Sequence, residues 1–271
     1  MKTTLLVLDS LRKDLMEPLY PEAFTFENHW AINGISGPSL MNIVLSTTNT
    51  DSPSNIIHPQ KNEPVNHARY YPKGAKSICK EFKDSCFITQ HPIFPRLDGY
   101  ERLADEFHYM AFEFVERRVK LTSNRLVQLV EKGVQFFDKS SDDAMLLLWS
   151  IETHSRGRNI YFPDAEDPIP ASIEYSAEAI KPLIEASDLF IIASDHGEIR
   201  RPGTKNMWYH PISSTREEHP TQFHVPLIIL GVPQGQYLEE TSTLDIAPTI
   251  LHLNGKEVPD RYEGNVIEVL E

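Results

Sequence analysis

Leu189-Phe190-Ile191-Ile192-Ala193-Ser194-Asp195-His196-Gly197-Glu198 runs from a short apolar stretch straight into a carboxylate, an imidazole and a second carboxylate. A continuous apolar run of this length suits a strand buried on both faces, as in a parallel sheet covered by helices. Asp195 and His196 then leave the sheet where the backbone turns, so both side chains can aim at one point. A carboxylate beside an imidazole is the raw material of a divalent-metal site.

The same grammar recurs along the chain. Leu5-Leu6-Val7-Leu8 closes on Asp9. Ala144-Met145-Leu146-Leu147-Leu148-Trp149-Ser150 is followed by Glu152 and His154. Val225-Pro226-Leu227-Ile228-Ile229-Leu230 ends at Gly231 and is preceded by His210, His219 and His224. Cys86-Phe87-Ile88-Thr89 is a weaker fifth run.

Helical patterns lie between them. Ser123 can cap a helix with Leu126, Val130, Val134 and Phe137 on one face. Gly74 to Phe82 reads as a helix before the weak strand. Tyr175 to Ile184 reads as another, kinked or shortened by Pro182, and Thr243 to Leu251 as a third, ending near Asn254-Gly255. Strands alternating with helices predict one α/β domain over 1–271 with a mostly parallel sheet. Residues 51–72, 155–171 and 199–224 read as long irregular segments; the latter two follow strand ends, where open α/β sheets bind ligands.

Ile35-Ser36-Gly37-Pro38-Ser39-Leu40-Met41-Asn42-Ile43-Val44-Leu45-Ser46 places a serine at or near a helix N-terminus. There the backbone N–H groups and the positive dipole end suit an anion and favour an alkoxide. Coordination to a metal lowers the hydroxyl pKa further. Ser36 also reads as a plain helix cap, and His154 as an ordinary surface histidine.

Lys and Arg number 26 against 39 Asp and Glu, a net charge of −13. Such a surface argues against non-specific nucleic-acid or anionic-membrane binding, and leaves a small anionic ester as a substrate for a metal-neutralised pocket. No apolar run approaches the ~20 residues of a spanning helix. The opening apolar stretch lacks a cleavage site and reads as a first strand, hence a cytoplasmic protein. Cys79 and Cys86 match neither zinc nor redox spacing and read as buried thiols. Phe107-His108-Tyr109-Met110-Ala111-Phe112 reads as packing.

Taken in order, these segments resemble the alkaline phosphatase/sulfatase superfamily, in its sulfatase-like branch. Val7-Leu8-Asp9-Ser10, Phe26 to Ser39, Trp149-Ser150-Ile151-Glu152-Thr153-His154, Ser194-Asp195-His196-Gly197, Val225-Pro226-Leu227-Ile228 and Leu244 to Leu251 match its motifs from about residue 3 to 267. The resemblance implies an alkaline-phosphatase-like three-layer sandwich, with the C-terminal subdomain reduced or absent and the active site open or covered by a partner copy. It implies Asp9, Ser36, Asp195 and His196 at a divalent metal (Zn, Mn, Ca or Mg; one ion, with a second open). It also implies Ser36 as nucleophile, His154 and His210 as catalytic histidines, and Lys205, Arg12 and His219 toward the substrate anion. His210 and His219 compete for one place, and Arg12 also reads as a local partner of Asp14.

True sulfatases need an arginine four residues past the nucleophile for conversion to formylglycine, and Leu40 stands there. The pattern therefore implies a phosphate-ester hydrolase with an unmodified serine. A sulfatase, a phosphoethanolamine-type transferase and a catalytically silent domain are the alternatives.

Overall fold

The computed structural model describes residues 1–15, 20–48, 75–91, 99–110, 113–115, 118–120, 126–155, 158, 162, 164–200, 208–209, 211 and 215–269. Eight strands form the main sheet: β1 (Lys2–Leu8), β2 (Phe24–Trp30), β3 (Asp84–Thr89), β4 (Glu106–Tyr109), β5 (Ala144–Ser150), β6 (Leu189–Ala193), β7 (Leu227–Leu230) and β8 (Gly235–Ser242). Their spatial order is β8-β2-β7-β6-β1-β5-β3-β4. β7 is antiparallel to both β6 and β2, and every other pairing is parallel.

The helices are α1 (Ser36–Leu45), α2 (Leu126–Phe137), α3 (Pro168–Ala179), α4 (Lys181–Glu185), α5 (Pro220–Phe223) and α6 (Ile246–Leu253). Leu5 and Val7 of β1 join one core cluster with α1 and α6, while Leu6 and Leu8 join the other with α2, α3 and α4. That alternation makes a three-layer sandwich, and it explains the unbroken apolar runs, since a central strand has no solvated face.

The four strong runs lie at β1, β5, β6 and β7, and the weak one at β3. The expected helix at Gly74 to Phe82 is instead one 3-10 turn, Ile78–Glu81, entered from an extended Ser77 and left through an extended Phe82. Few residues separate this turn from β3, and Ile78 and Cys79 are both wholly buried against the core. Part of 155–171 is not irregular: Asp167 caps α3, its carboxylate accepting from the Ile169 amide at 3.0 Å, with Pro168 in the first turn. Proline there removes no helical hydrogen bond. Pro182 does divide the next stretch, falling in the first turn of α4. Residues 51–72 and Ser123 lie outside the described residues.

β2, β4 and β8 are strands the sequence pattern does not announce. β8 and β4 are the sheet edges, and an edge strand carries polar residues that break the apolar signal. His29 of β2 is wholly buried, its Nδ1 2.9 Å from Thr241 Oγ1 on β8. Burial, reinforced by His224, pushes its pKa down from 6.5 to about 3. The folded state therefore favours the neutral ring; that stability is whole above pH 6.5 and is lost as pH falls toward 3. In urea titrations across this window, the wild type should lose up to ~1.4 kcal/mol more per pH unit than His29→Gln. Equal slopes would refute this account.

Candidate active site and metal centre

Because β1 lies between β5 and β6, Asp9 at its carboxyl end is flanked by Glu152 and His154 on one side and by Asp195 and His196 on the other. β7 runs the other way, so its entry, with His224, meets the same edge of the sheet. Ser10 takes a left-handed backbone with φ of 62°, a conformation that costs a non-glycine residue of order 1 kcal/mol or more. Ser10 N donates to Asp195 Oδ1 at 3.0 Å, and Ser10 Oγ donates to Asp9 Oδ1 at 2.6 Å.

Asp195 Oδ1 also accepts from the His196 amide at 2.8 Å, which turns the other oxygen inward. That oxygen, Oδ2, is buried with no hydrogen-bond partner among the described residues. His196 Nε2 lies 3.8 Å from it and 3.9 Å from Asp9 Oδ1. One ligand atom from each of Asp9, Asp195 and His196 falls within 4.8 Å of the others. His196 Nδ1 faces the Gly197 carbonyl at 2.9 Å, the backbone contact that leaves Nε2 as the coordinating nitrogen of a ligand histidine.

Ser36 is the first residue of α1; Ile35 is the cap residue. The hydroxyl is therefore not a helix cap. Ser36 Oγ lies 3.0 Å from His196 Nε2 and donates to Asp9 Oδ2 at 3.3 Å. The sequence-predicted set Asp9, Ser36, Asp195 and His196 thus converges at one buried point.

Burial raises the Asp195 carboxyl, and Asp9 beside it adds to that, to a pKa of about 6. Burial would raise Asp9 too, but His154, His91 and His196 outweigh it and hold Asp9 well below the usual range. Burial opposes charge on His196, yet Asp195 and Asp9 override it and raise that pKa. The raised Asp195 and His196 share one cause, the two carboxylates crowded into a dry pocket, and the inward Asp195 oxygen is positioned for a cation. The donor set fits a divalent ion.

His91 escaped the sequence reading. Its Nε2 is hydrogen-bonded to Asp9 Oδ2, and its ring stacks on Trp149 with centroids 3.9 Å apart. It follows β3 by two residues, so the rule that found Asp9 and Asp195 applies to the weak fifth run as well.

His154 is one of the charges acting on Asp9, and its Nε2 lies 4.0 Å from Glu198 Oε1. Arg12 turns its guanidinium to Asp14, with Nε donating at 2.8 Å. His219 is the residue before α5, without a side-chain cap bond. His224 packs on Trp30 and reaches the Glu27 carbonyl at 2.9 Å. Glu152 accepts from the first amide of α2 at 2.8 Å, a helix-end role. Lys205 and His210 lie outside the described residues.

Gly197 donates its amide to the Gln222 carbonyl at 2.6 Å, and a Cβ there would meet Thr221 O at 2.3 Å. Only glycine lets the 219–224 segment press so closely on the Asp195-His196 corner.

No family model matches the chain. It is 31% identical over 85 residues to a 2,3-bisphosphoglycerate-independent phosphoglycerate mutase of Roseobacter denitrificans, a match covering 31% of this chain and 16% of the mutase. A mutase of the same description from Vibrio parahaemolyticus is 28% identical over 111 residues, 41% of this chain and 21% of the relative. The chain thus matches only a small part of these curated relatives.

Solved structures match almost throughout. A protein in the alkaline phosphatase superfamily from Vibrio parahaemolyticus superposes with a TM-score of 0.65 at 16% identity, covering 97% of this chain and 68% of that one. The C-terminal periplasmic domain of EcEptC from Escherichia coli, in complex with Zn, gives 0.63 at 11% identity, covering 100% and 90%. Phosphonate monoester hydrolase SpPMH from Silicibacter pomeroyi gives 0.62 at 18% identity, covering 98% and 75%. The chain has the fold of the alkaline phosphatase superfamily.

Glu198 and Arg158 form a buried ion pair beside this corner, with Arg158 Nη2 2.5 Å from Glu198 Oε2. Arg158 also donates to the Thr153 carbonyl, and Glu198 accepts from the Ser155 amide at 2.8 Å. The pair ties the segment bearing His154 to the Asp195-His196 turn. Arg158→Met should cost about 3–5 kcal/mol of unfolding free energy, because it leaves a buried carboxylate uncompensated. Adding Glu198→Gln should restore most of it. Denaturant titration of the two single variants and the double variant checks the coupling, and additive losses would refute it.

Proposed function

We propose that the chain is a metal-dependent hydrolase of phosphate esters with Ser36 as nucleophile. The observation that carries this reading is the Ser36 hydroxyl, held between Asp9 and His196 beside the inward Asp195 oxygen. Asp9, Asp195 and His196 would hold the ion, with Ser36 against it. Zn is favoured by the imidazole in the set and by the zinc complex of the EcEptC domain; Mn, Ca and Mg remain in the screen. A bound divalent ion would neutralise the phosphoryl oxygens and lower the hydroxyl pKa.

In this reading the substrate is a small anionic ester. Ser36 Oγ attacks phosphorus in line with the leaving oxygen; the Oγ–P bond forms as the ester P–O bond breaks. The hydroxyl proton is released toward the buried Asp9–His91 pair, and a histidine, His154 or His210, protonates the leaving alkoxide. Water then attacks phosphorus, the P–Oγ bond breaks, and inorganic phosphate and free Ser36 are restored. Lys205, Arg12 and His219 are the candidates for steadying the substrate's remaining charge.

A transferase reading shares the first step and replaces water with a hydroxyl acceptor. The mutase likeness supports keeping it. Partition of product between phosphate and an added alcohol separates the two readings. Leu40, in place of the sulfatase arginine, weighs against a sulfatase; intact-mass analysis showing formylglycine at position 36 would reverse that.

The test is a metal-screened panel of nitrophenyl phosphate monoester, diester, phosphonate and sulfate. Phosphate or phosphonate turnover should vanish on chelation and return with metal. Ser36→Ala should lose about 10³-fold or more, and Asp195→Asn should lose both ion and turnover. A Ser36→Ala protein that keeps more than about a tenth of the rate rules out the nucleophile, since removing such a group costs far more.

A further inference from the structure

We propose that Cys86, Glu106 and His108 form a second metal site, distinct from the Asp9–Asp195–His196 cluster, that takes a thiophilic divalent ion such as Zn²⁺ and clamps the edge strand β4 to β3. The two strands pair in parallel with Cys86 opposite Glu106 and Ile88 opposite His108. Side chains two apart on a strand share a face, so the register brings the thiol, the carboxylate and the imidazole to one side of the sheet. One ligand atom from each lies within 4.8 Å of the others. Glu106 Oε2 and His108 Nε2 are already 3.6 Å apart. A tetrahedral ion, with bonds of ~2.0 Å to N and O and ~2.3 Å to S, places its ligand atoms about 3.3–3.6 Å from one another. Binding would draw Cys86 Sγ in from a separation of at most 4.8 Å to complete the set.

The surroundings suit an ion reached from solvent. Cys86 is wholly buried at strand level, His108 is half-buried and Glu106 is exposed. Glu106 and His108 line a cavity of about 230 Å³, which Lys132 and Phe136 of α2 and Lys139 just after it also line. A thiolate and a carboxylate together neutralise a divalent ion, so the nearby lysines meet no net positive charge. Burial, with Lys132 next, lowers the His108 pKa and favours the neutral ring that ligation needs. Burial, with Glu106 next, pushes the Cys86 thiol up to about 12, so it acts as a ligand only when a metal displaces its proton. Oxygen-seeking Mg²⁺ and Ca²⁺ would not do this.

This inference does not rest on the proposed hydrolase activity, and its readout separates the two sites. Titrating the chain with Co²⁺ should produce a sulfur-to-cobalt charge-transfer band in the near ultraviolet. Oxygen and nitrogen donors at the Asp9–Asp195–His196 cluster cannot give that band, and Cys79 lies in the core cluster on the other face of the sheet. The band should persist in Asp195→Asn and vanish in Cys86→Ser. In His108→Gln, a half-buried position where folding is safe, cobalt affinity should fall tenfold or more. Zn²⁺ should displace the cobalt and raise the melting temperature of Asp195→Asn but not of its Cys86→Ser double variant. A wild-type chain without the band, or a band undiminished in Cys86→Ser or His108→Gln, overturns the proposal.

Discussion

Two carboxylates buried side by side, Asp9 and Asp195, are the constraint on which the rest of the site depends. Both are wholly inaccessible to solvent. Like charges in a low-dielectric pocket repel, and each must be offset or protonated. Asp9 is offset by His91, His154 and His196, whereas Asp195 has two backbone amides on one oxygen and, among the described residues, no hydrogen-bond partner on the other. The fold tolerates this because the central strand β1 fixes Asp9 from a backbone buried on both sides. The strained Ser10 behind it bridges the two carboxylates with its amide and its hydroxyl. A structural ion pair would have a compensating cation built in. Here the described residues leave the compensation incomplete, and the proposed metal ion would supply the rest.

The same constraint explains which parts of the molecule were legible in the sequence. β1, β5 and β6 are central strands whose neighbours lie on both edges and whose two faces are both covered, so each is an apolar run that ends in candidate site residues. β4 and β8 sit at the sheet edges and β2 is only partly buried, and their composition reflects that exposure rather than a period. His91 was hidden because β3, next to the edge strand, gives a weaker run, although chemistry at its carboxyl end follows the same rule as at β1. The start of α3 falls inside the segment 155–171 that reads as irregular; the Asp167 cap places Pro168 in its first turn. The thiol of Cys86 could not be assigned from cysteine spacing, because its companions come from a neighbouring strand through sheet register rather than from its own segment.

The Arg158–Glu198 pair shows how the periphery holds the centre. Both residues are almost wholly buried. Desolvating them is costly, and the cost is offset by hydrogen bonds that knit two loops together: Arg158 to the Thr153 carbonyl, Glu198 to the Ser155 amide. Thr153 in turn donates its hydroxyl to the Asp9 carbonyl at 2.7 Å. The loop after β5 is therefore anchored both to β1 and to the turn after β6, which confines His154 to the neighbourhood of Asp9.

Leu40 bears on the choice between sulfate and phosphate. It stands four residues after Ser36, one turn along α1 and on the same side of the helix. It is wholly buried in the core cluster with Met41, Ile43 and Val44. An arginine here would bring a charge into that cluster with no carboxylate assigned to meet it, at a cost of several kcal/mol. The position that sulfatases use to mark the nucleophile for oxidation is thus committed to packing in this chain. On the proposed reading Ser36 keeps its hydroxyl, and that hydroxyl, held against Asp9 and His196, would attack phosphorus without further modification.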